Sequence, residues 1–267
     1  MKCYLSYFKL RFITNLQYRA AAWAGIATQI FFGFVYIMVY IAFYESESKG
    51  LPMQLDQLIT YLWLNQALFT LVFMFYKDQE LFNLVKTGNI AYELIRPKNL
   101  YFMWYFKIIG QRLAMVLLRF IPFIIFLILL PEPYRISLPS SILGFLMFLL
   151  TLTIGSLLMT AIITLYPIIA MRTLNEKGIV GVIIAVADIL SGGVVPLPFF
   201  PKFLQVISRL LPFQYVSDLP FRLYVGNISP ETGLYGLLIQ VIWLIILVTF
   251  GYLFMKKNLQ KVIVQGG

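Results

Sequence analysis

The stretch SSILGFLMFLLTLTIGSLLMTAIITLYPIIAM, residues 140–171, decides the fold class of this chain, because it contains no charged side chain. An α-helix rises about 1.5 Å per residue, so about 20 apolar residues cross the roughly 30 Å hydrocarbon core of a bilayer. The stretch is longer than that. It predicts a membrane helix that either tilts or breaks near Pro167, since proline lacks the N–H group that a helix interior needs.

The same composition extends along the whole chain. Of the 267 residues, 61% are hydrophobic and only 12% are charged, against about 25% charged residues in a soluble domain. No polar stretch is long enough for a soluble domain, so we predict an all-α integral membrane protein with one transmembrane domain over 1–267. Its apolar runs predict six transmembrane helices, at about 20–44, 59–76, 108–130, 140–171, 178–195 and 234–255.

The net charge of +10 has two readings. In a soluble protein it would favour nucleic-acid binding, whereas in a membrane protein basic residues collect on the cytoplasmic side. With six spans, 15 of the 21 Lys and Arg residues fall on the side that holds both termini, and five fall on the other side. We therefore predict a multi-pass protein of the inner or plasma membrane with both termini in the cytoplasm, and no nucleic-acid partner.

Two segments on the predicted cytoplasmic side are more than simple connections. Residues 2–19 carry apolar side chains at helical spacing with polar ones between them, which is typical of an amphipathic helix in the membrane interface. The connection 77–107 is the largest cytoplasmic feature. Within it, Asn89 can cap a short helix over 90–96, and Pro97 would stop that helix.

The predicted outer connection, 196–233, is rich in proline. Between its prolines an apolar stripe recurs at helical spacing, with polar residues opposite. The stripe consists of Phe203, Val206, Ile207 and Leu210. This pattern predicts a short helix that dips into the outer leaflet or packs on the helix bundle, where protein or water satisfies its backbone.

The sequence offers little for catalysis. It has no histidine, the commonest general base and a frequent metal ligand, and no G-x-x-x-x-G-K-[ST] nucleotide-binding loop. We predict no catalytic residue and no metal site. Four polar residues in predicted spans are candidates for a substrate pathway: Asn65, Gln66, Arg119 and Asp188. Alternatively, the amides bond between helices, Asp188 is hydrated near the outer end by the re-entrant segment, and Arg119 snorkels to the membrane interface or pairs structurally.

Scattered features along the chain, taken in order, resemble the permease subunits of type-2 ABC exporters, in the short six-span branch without a fused ATPase. The features are Tyr18-Arg19-Ala20; Gly88, Ile90, Leu94, Arg96 and Pro97; Ser191-Gly192; Pro196; Phe199-Phe200-Pro201; Leu211-Pro212-Phe213; Pro220, Tyr224 and Gly226; Trp243; and Gln265-Gly266-Gly267.

This resemblance implies a role for each irregular segment. The amphipathic start would be an elbow helix. The connection around Ile90 to Arg96 would be a coupling helix that docks on a separate ATPase, with the coupling residues Gly88, Ile90, Leu94, Arg96 and Pro97. The proline-rich outer segment would be re-entrant helices that close the exit, with gate residues Ser191, Gly192, Pro196, Phe199, Phe200 and Pro201.

The resemblance also implies partners. Two ATPase copies would bind ATP and Mg, this chain would bind no cofactor, and a second permease, identical or related, would complete the exporter in the lipid. The substrate would be hydrophobic or amphipathic, such as a drug, antibiotic, peptide or lipid, as in bacterial multidrug efflux. Two alternatives remain open, a self-contained secondary transporter or channel, and a membrane enzyme that acts on lipid.

Overall fold

The computed structural model describes residues 2–46, 50–95, 98–173 and 178–260, and the regular structure in these ranges is entirely helical. The α-helices are α1 (Lys2–Asn15), α2 (Arg19–Ser46), α3 (Leu55–Ala67), α4 (Phe69–Val72), α5 (Gln79–Lys86), α6 (Ile90–Leu94), α7 (Leu100–Ile128), α8 (Ile142–Thr173), α9 (Ile179–Leu190), α10 (Lys202–Leu210), α11 (Asp218–Tyr224) and α12 (Pro230–Leu259). Single 3₁₀ turns occupy Leu197–Phe199 and Phe213–Tyr215.

Within the described ranges, four helices are long and apolar enough to cross a membrane: α2, α7, α8 and α12. They confirm an all-helical protein with several apolar membrane helices. The outward apolar residues of α12, such as Leu238, Ile242 and Ile245, are each more than half exposed, as suits a surface solvated by lipid. α8 continues through Pro167 without a break, so the predicted break near Pro167 is wrong. Neighbouring groups can satisfy the backbone around a proline in a membrane helix.

Three predicted spans differ from the structure. The run 59–76 is not one helix, because Leu68 leaves helical geometry between α3 and α4, and the backbone at Phe73 is extended, which ends α4. The run 178–195 contains only the 12-residue α9, about 18 Å long, and Gly192, at φ +80°, ends the apolar segment. The third span begins at Leu100 rather than 108, because α7 takes polar residues into its packed interior.

Close packing, rather than apolar burial alone, holds membrane helices together, since lipid is as apolar as leucine. α7 lies at the centre and contacts α1, α2 and α8, and α8 packs along α12. Gly33 of α2 shows how tight the fit is, because a Cβ atom there would overlap the Trp63 indole ring. The Trp63 Nε1–H donates to the carbonyl of Tyr134 at 2.7 Å, so this buried polar group is satisfied.

Hydrogen bonds join separate segments of the chain at each of the two ends of the bundle. At the α1 end, α1, α5, the start of α7 and the last turns of α8 and α12 come together; there Arg172 Nε donates to Asn258 Oδ1 at 2.6 Å. At the α11 end, the loops before α3, between α7 and α8, and around α11 come together; there the Ser140 N–H donates to the Tyr224 carbonyl at 3.1 Å. α3 and α4 together connect the α11 end to the α1 end.

Candidate functional site

A small recess brings together three of the four polar residues that the sequence singled out. Asn65 and Gln66 from α3 and Asp188 from α9 line it, beside Ser191. The volume of the recess is about 70 Å³, room for a few atoms rather than for a whole drug-sized molecule. We name it the α3–α9 recess.

Hydrogen bonds fix the wall of this recess on the side of α9. The Asn65 side chain donates from Nδ2 to the carbonyl of Gly193 at 3.1 Å. The Ser191 hydroxyl donates to the backbone carbonyl of Asp188 at 2.8 Å and accepts from the Gly193 N–H at 3.2 Å. These bonds occupy one amide N–H of Asn65 and the hydroxyl hydrogen of Ser191, and Asp188 lines the recess beside them.

Arg119, the fourth candidate, lies elsewhere. Its guanidinium lies against Gly25 of α2, where a Cβ atom would overlap it, and it donates weakly to the carbonyl of Ala21 at 3.5 Å. The structure therefore does not pair Arg119 with Asp188, and the residue packs between α7 and α2. Its use as a pathway residue stays a prediction without support from this geometry.

The predicted exit segment is organised by a residue that the sequence did not single out, Asp218 of α11. Its side chain is 2% exposed. One carboxylate oxygen accepts from the Tyr61 hydroxyl at 3.1 Å and from the Leu197 N–H at 3.3 Å. Arg222 lies 3.5 Å from the other oxygen. Asp218 thus joins α3 to the turn between α9 and α10.

The gate residues that the resemblance implies lie along the same segment as this junction. The Tyr61 hydroxyl also lies 3.1 Å from the carbonyl of Gly192, and the ring of Phe199 packs against Tyr40 of α2, with centroids 5.5 Å apart. Pro196 and Pro201 precede the 3₁₀ turn and α10 respectively. The Phe200 carbonyl accepts from Gln205 Nε2 at 2.8 Å. A helix does form over the predicted stripe, as α10, and its apolar side chains Phe203, Val206, Ile207 and Leu210 are exposed.

The predicted coupling segment forms a short projecting element. Gly88 turns the chain at φ +73°, a conformation that glycine adopts without steric cost, and α6 follows. Ile90 at its base is buried, whereas Leu94 is 42% exposed at its tip. Asn89 does not cap α6 with its side chain, contrary to our prediction, because its own backbone is already helical. Arg96 and Pro97 lie outside the described residues.

An ion network at the base of this element escaped the sequence analysis. Lys107 of α7 is fully buried and bonds to Asp78 and Glu80, each at 2.9 Å. Glu80 also accepts from Arg11 of α1 at 2.6 Å. Asp78 in turn caps α5 by accepting from the Leu81 N–H at 3.1 Å. The network therefore joins α1, α5 and α7, and only the acid-x-acid spacing after an apolar run hinted at it.

The charges of this network act on the ionisation of Glu80. Partial burial raises the pKa of its carboxyl, but the hydrogen bonds and positive charges of Lys107 and Arg11 outweigh burial, and the pKa is lowered. Burial lowers the pKa of Arg11, but its hydrogen bonds to Glu80 and Tyr7 outweigh burial, and the pKa is raised. Both groups are therefore held in their charged forms.

Comparison with known proteins gives one result for the whole arrangement. The family described as "ABC-2 family transporter protein" matches residues 30–266, which is most of the chain and includes the recess, the projecting element and the Asp218 junction. No curated protein and no solved structure matches. A family match of this extent, on a bundle of apolar helices, agrees with the resemblance that the sequence motifs carry. The chain therefore belongs to the ABC-2 transporter family and is a membrane permease of that type.

Proposed function

We propose that this chain is the transmembrane subunit of an ATP-driven exporter. In this proposal a separate ATPase, present in two copies, binds ATP and Mg, and a second permease, identical or related, completes the complex. The exported compound is hydrophobic or amphipathic, and it leaves the cell by alternating access. ATP binding on the partner then favours one of two states of the permease, so the coupling is a difference in free energy between distant sites.

The observation that carries the proposal is the exposed tip of α6. Tyr92 is 70% exposed and Ile95 is 77% exposed, although the helix base at Ile90 is buried. Apolar side chains that project from a short, anchored element mark a protein–protein contact rather than a packing defect. The α1 end, where the sequence collects its positive charge, is the end that we assign to the cytoplasm.

The same end offers a route for movement. A push on α6 acts on α5, and α5 is joined to α7 through Asp78 and Lys107 and to α1 through Glu80 and Arg11. α7 in turn packs against α3 and α8. Docking at the tip would thereby reach the helices that line the α3–α9 recess.

The proposal includes a topology for the exporter. In it, the four long helices, the α3–α4 pair and α9 would make six passages between the two ends, with α1 as the elbow helix on the cytoplasmic face. α10 and α11, with the 3₁₀ turn held by Asp218, would be the re-entrant segment that closes the outer exit.

Affinity purification under gentle conditions tests the proposal, with identification of what co-purifies. We expect a stoichiometric ATPase with the wild type and its loss from Ile95→Asp and Leu94→Asp, because a charge in an apolar docking contact is costly. Leu138→Asp is the matched control, since Leu138 is 89% exposed at the opposite end, and it should keep the ATPase. A chain that purifies without any ATPase and still moves solute in vesicles would contradict the proposal in favour of a secondary transporter or channel.

A further inference from the structure

We infer that the α3–α9 recess binds the positively charged headgroup of the transported compound, so that the substrate class is a cationic amphiphile. The role in export rests on the function proposed above, whereas binding of a cation by the recess does not. The inference begins with Asp188, whose carboxylate has no ion-pair or hydrogen-bond partner among the residues that the structure describes.

Asp188 differs in this respect from the other enclosed carboxylates. Asp78 is paired with Lys107. Asp218 has the Tyr61 hydroxyl, the Leu197 N–H and Arg222. Ionised groups at membrane depth are costly unless something compensates them. Asp188 lies in the apolar helix α9, and a bound cation would supply the compensation that the described part of the chain lacks.

The rest of the recess also suits a cation. One N–H of the Asn65 amide and the Ser191 hydroxyl are taken up by the backbone carbonyls of Gly193 and Asp188, and the amide oxygen of Asn65 and the carboxylate of Asp188 remain as acceptors. The Gln66 amide, whose side chain makes no hydrogen bond to a described residue, can turn its oxygen inward. The Asp188 carboxylate and the two amide oxygens are therefore available as acceptors, which an ammonium group requires.

Aromatic rings complete the wall of the recess. Tyr36 of α2, Phe69 of α4 and Phe73, which follows α4, line it, and the Phe69 and Phe73 rings are stacked with centroids 4.1 Å apart. The face of an aromatic ring attracts a cation by its negative electrostatic potential. An anion would meet the Asp188 carboxylate unfavourably.

The size of the recess limits which part of the ligand enters. A volume of about 70 Å³ is well below the roughly 300 Å³ of the smallest typical drug pocket. It holds a headgroup and leaves the apolar part of the compound outside. Apolar side chains of α9, including Val186 and Ile189, are exposed, and such surfaces would accept that part. The ligand is therefore amphipathic, with one cationic end.

A matched pair of probes tests this inference on the full chain in phosphatidylcholine nanodiscs, with empty discs subtracted. Dansylcadaverine carries a primary ammonium, and its N-acetyl derivative is the same fluorophore without the charge. We expect the wild type to bind the amine more tightly than the amide, by roughly tenfold or more, as for hydrogen bonds to a charged group. Asp188→Asn should abolish this preference. Asp56→Asn, which neutralises an exposed carboxylate at the α11 end, should keep it.

Equal binding of the two probes by the wild type would overturn the inference, whatever the variants do. A preference for the amine that survives in Asp188→Asn would also overturn it, because a group other than Asp188 would then bind the ammonium charge. These outcomes are separate from the ATPase test. If the wild type shows no preference for the cation but an ATPase co-purifies, cation binding by the recess is rejected and the exporter proposal stands. If the preference depends on Asp188 but no ATPase co-purifies, cation binding stands and the exporter proposal is rejected.

Discussion

The two ends of the molecule hold their enclosed polar groups in different ways. At the α1 end the buried group is a cation, Lys107, and two carboxylates neutralise it at 2.9 Å. At the α11 end it is an anion, Asp218, and its closest partners are a hydroxyl and a backbone N–H, with Arg222 at the longer distance of 3.5 Å. One end is held by charge pairs and the other mainly by hydrogen bonds.

This difference bears on how each end can respond to a load. A buried charge that loses its partners is strongly destabilising, so a network of charge pairs favours one rigid arrangement. Hydrogen bonds of a single group to several partners are individually weak and can be lost one at a time. We expect the α1 end to move as a unit with α5, α6 and α7, and the α11 end to open in steps.

Lys107→Met is the substitution with the largest expected effect, and it tests whether charge pairs hold the α1 end together. The substitution keeps an apolar stem of similar length but leaves the buried Asp78 carboxylate without its cation. We expect the free energy of unfolding to fall by about 3 to 5 kcal/mol, as for a broken buried ion pair. Titration with sodium dodecyl sulfate in mixed micelles would measure it.

A second substitution separates lost charge from lost packing. Asp78→Asn in the Lys107→Met background removes the uncompensated charge while asparagine still caps α5, so the double variant should be more stable than Lys107→Met alone. Lys86→Met, at an exposed position of α5, is the control and should change little. Equal stability of Lys107→Met and Lys86→Met would show that the network does not hold this end together.

The corresponding change at the α11 end is Tyr61→Phe, and its effect should be smaller. The variant loses the hydroxyl that lies 3.1 Å from both Asp218 and Gly192, while Leu197 and Arg222 remain as partners of Asp218. We expect a loss of about 1.5 to 3 kcal/mol in the same titration, as for a hydrogen bond to a charged group.

Tyr235→Phe is the control for this change, because Tyr235 is 71% exposed and should tolerate it. A loss at Tyr61 as large as that of Lys107→Met would remove the distinction between the two ends. It would mean that Asp218 behaves as an uncompensated buried charge once the hydroxyl is absent.

Much of the fold was predictable because hydropathy reports what lipid requires of a helix. α2, α8 and α12 lie within a few residues of the spans predicted at their positions. α7 was predicted too short, because the charged side chain of Lys107 lies inside it, where Asp78 and Glu80 neutralise it. Arg112, which lies within the predicted span, is also enclosed, and its guanidinium lies over the Tyr76 ring, 5.5 Å from the centroid. The break at Leu68 was not predictable, since a break in backbone geometry leaves the apolar pattern unchanged.

The candidate site was predictable only in part, and the reason is distance along the chain. Asn65, Gln66 and Asp188 stood out because polar residues are costly in apolar runs, and the fold brings them together. Asp218 did not stand out, since it lies in a proline-rich loop and its partner Tyr61 is 157 positions away. Spacing in a sequence identifies which groups are unusual but not which distant groups they meet.

The smallest expected effect concerns the exposed edge of the α1 network and depends on pH. Because the pKa of Glu80 is lowered in the folded protein, its pairing stabilises the fold fully above its unfolded pKa, roughly 4.3, and this contribution disappears as the pH falls through the lowered value. Glu80 is about half exposed, so solvent limits the contribution to at most about 1 kcal/mol. The melting temperature of the wild type should exceed that of Glu80→Gln at pH 7, and the gap should narrow below pH ~4. Because both proteins carry the same other carboxyl groups, the contributions of those groups to the melting temperature cancel in the comparison at each pH. A difference in melting temperature that is the same at both pH values would mean that the charge of Glu80 does not stabilise the fold. Only the pair of Lys107 and Asp78 would then hold the α1 end by charge.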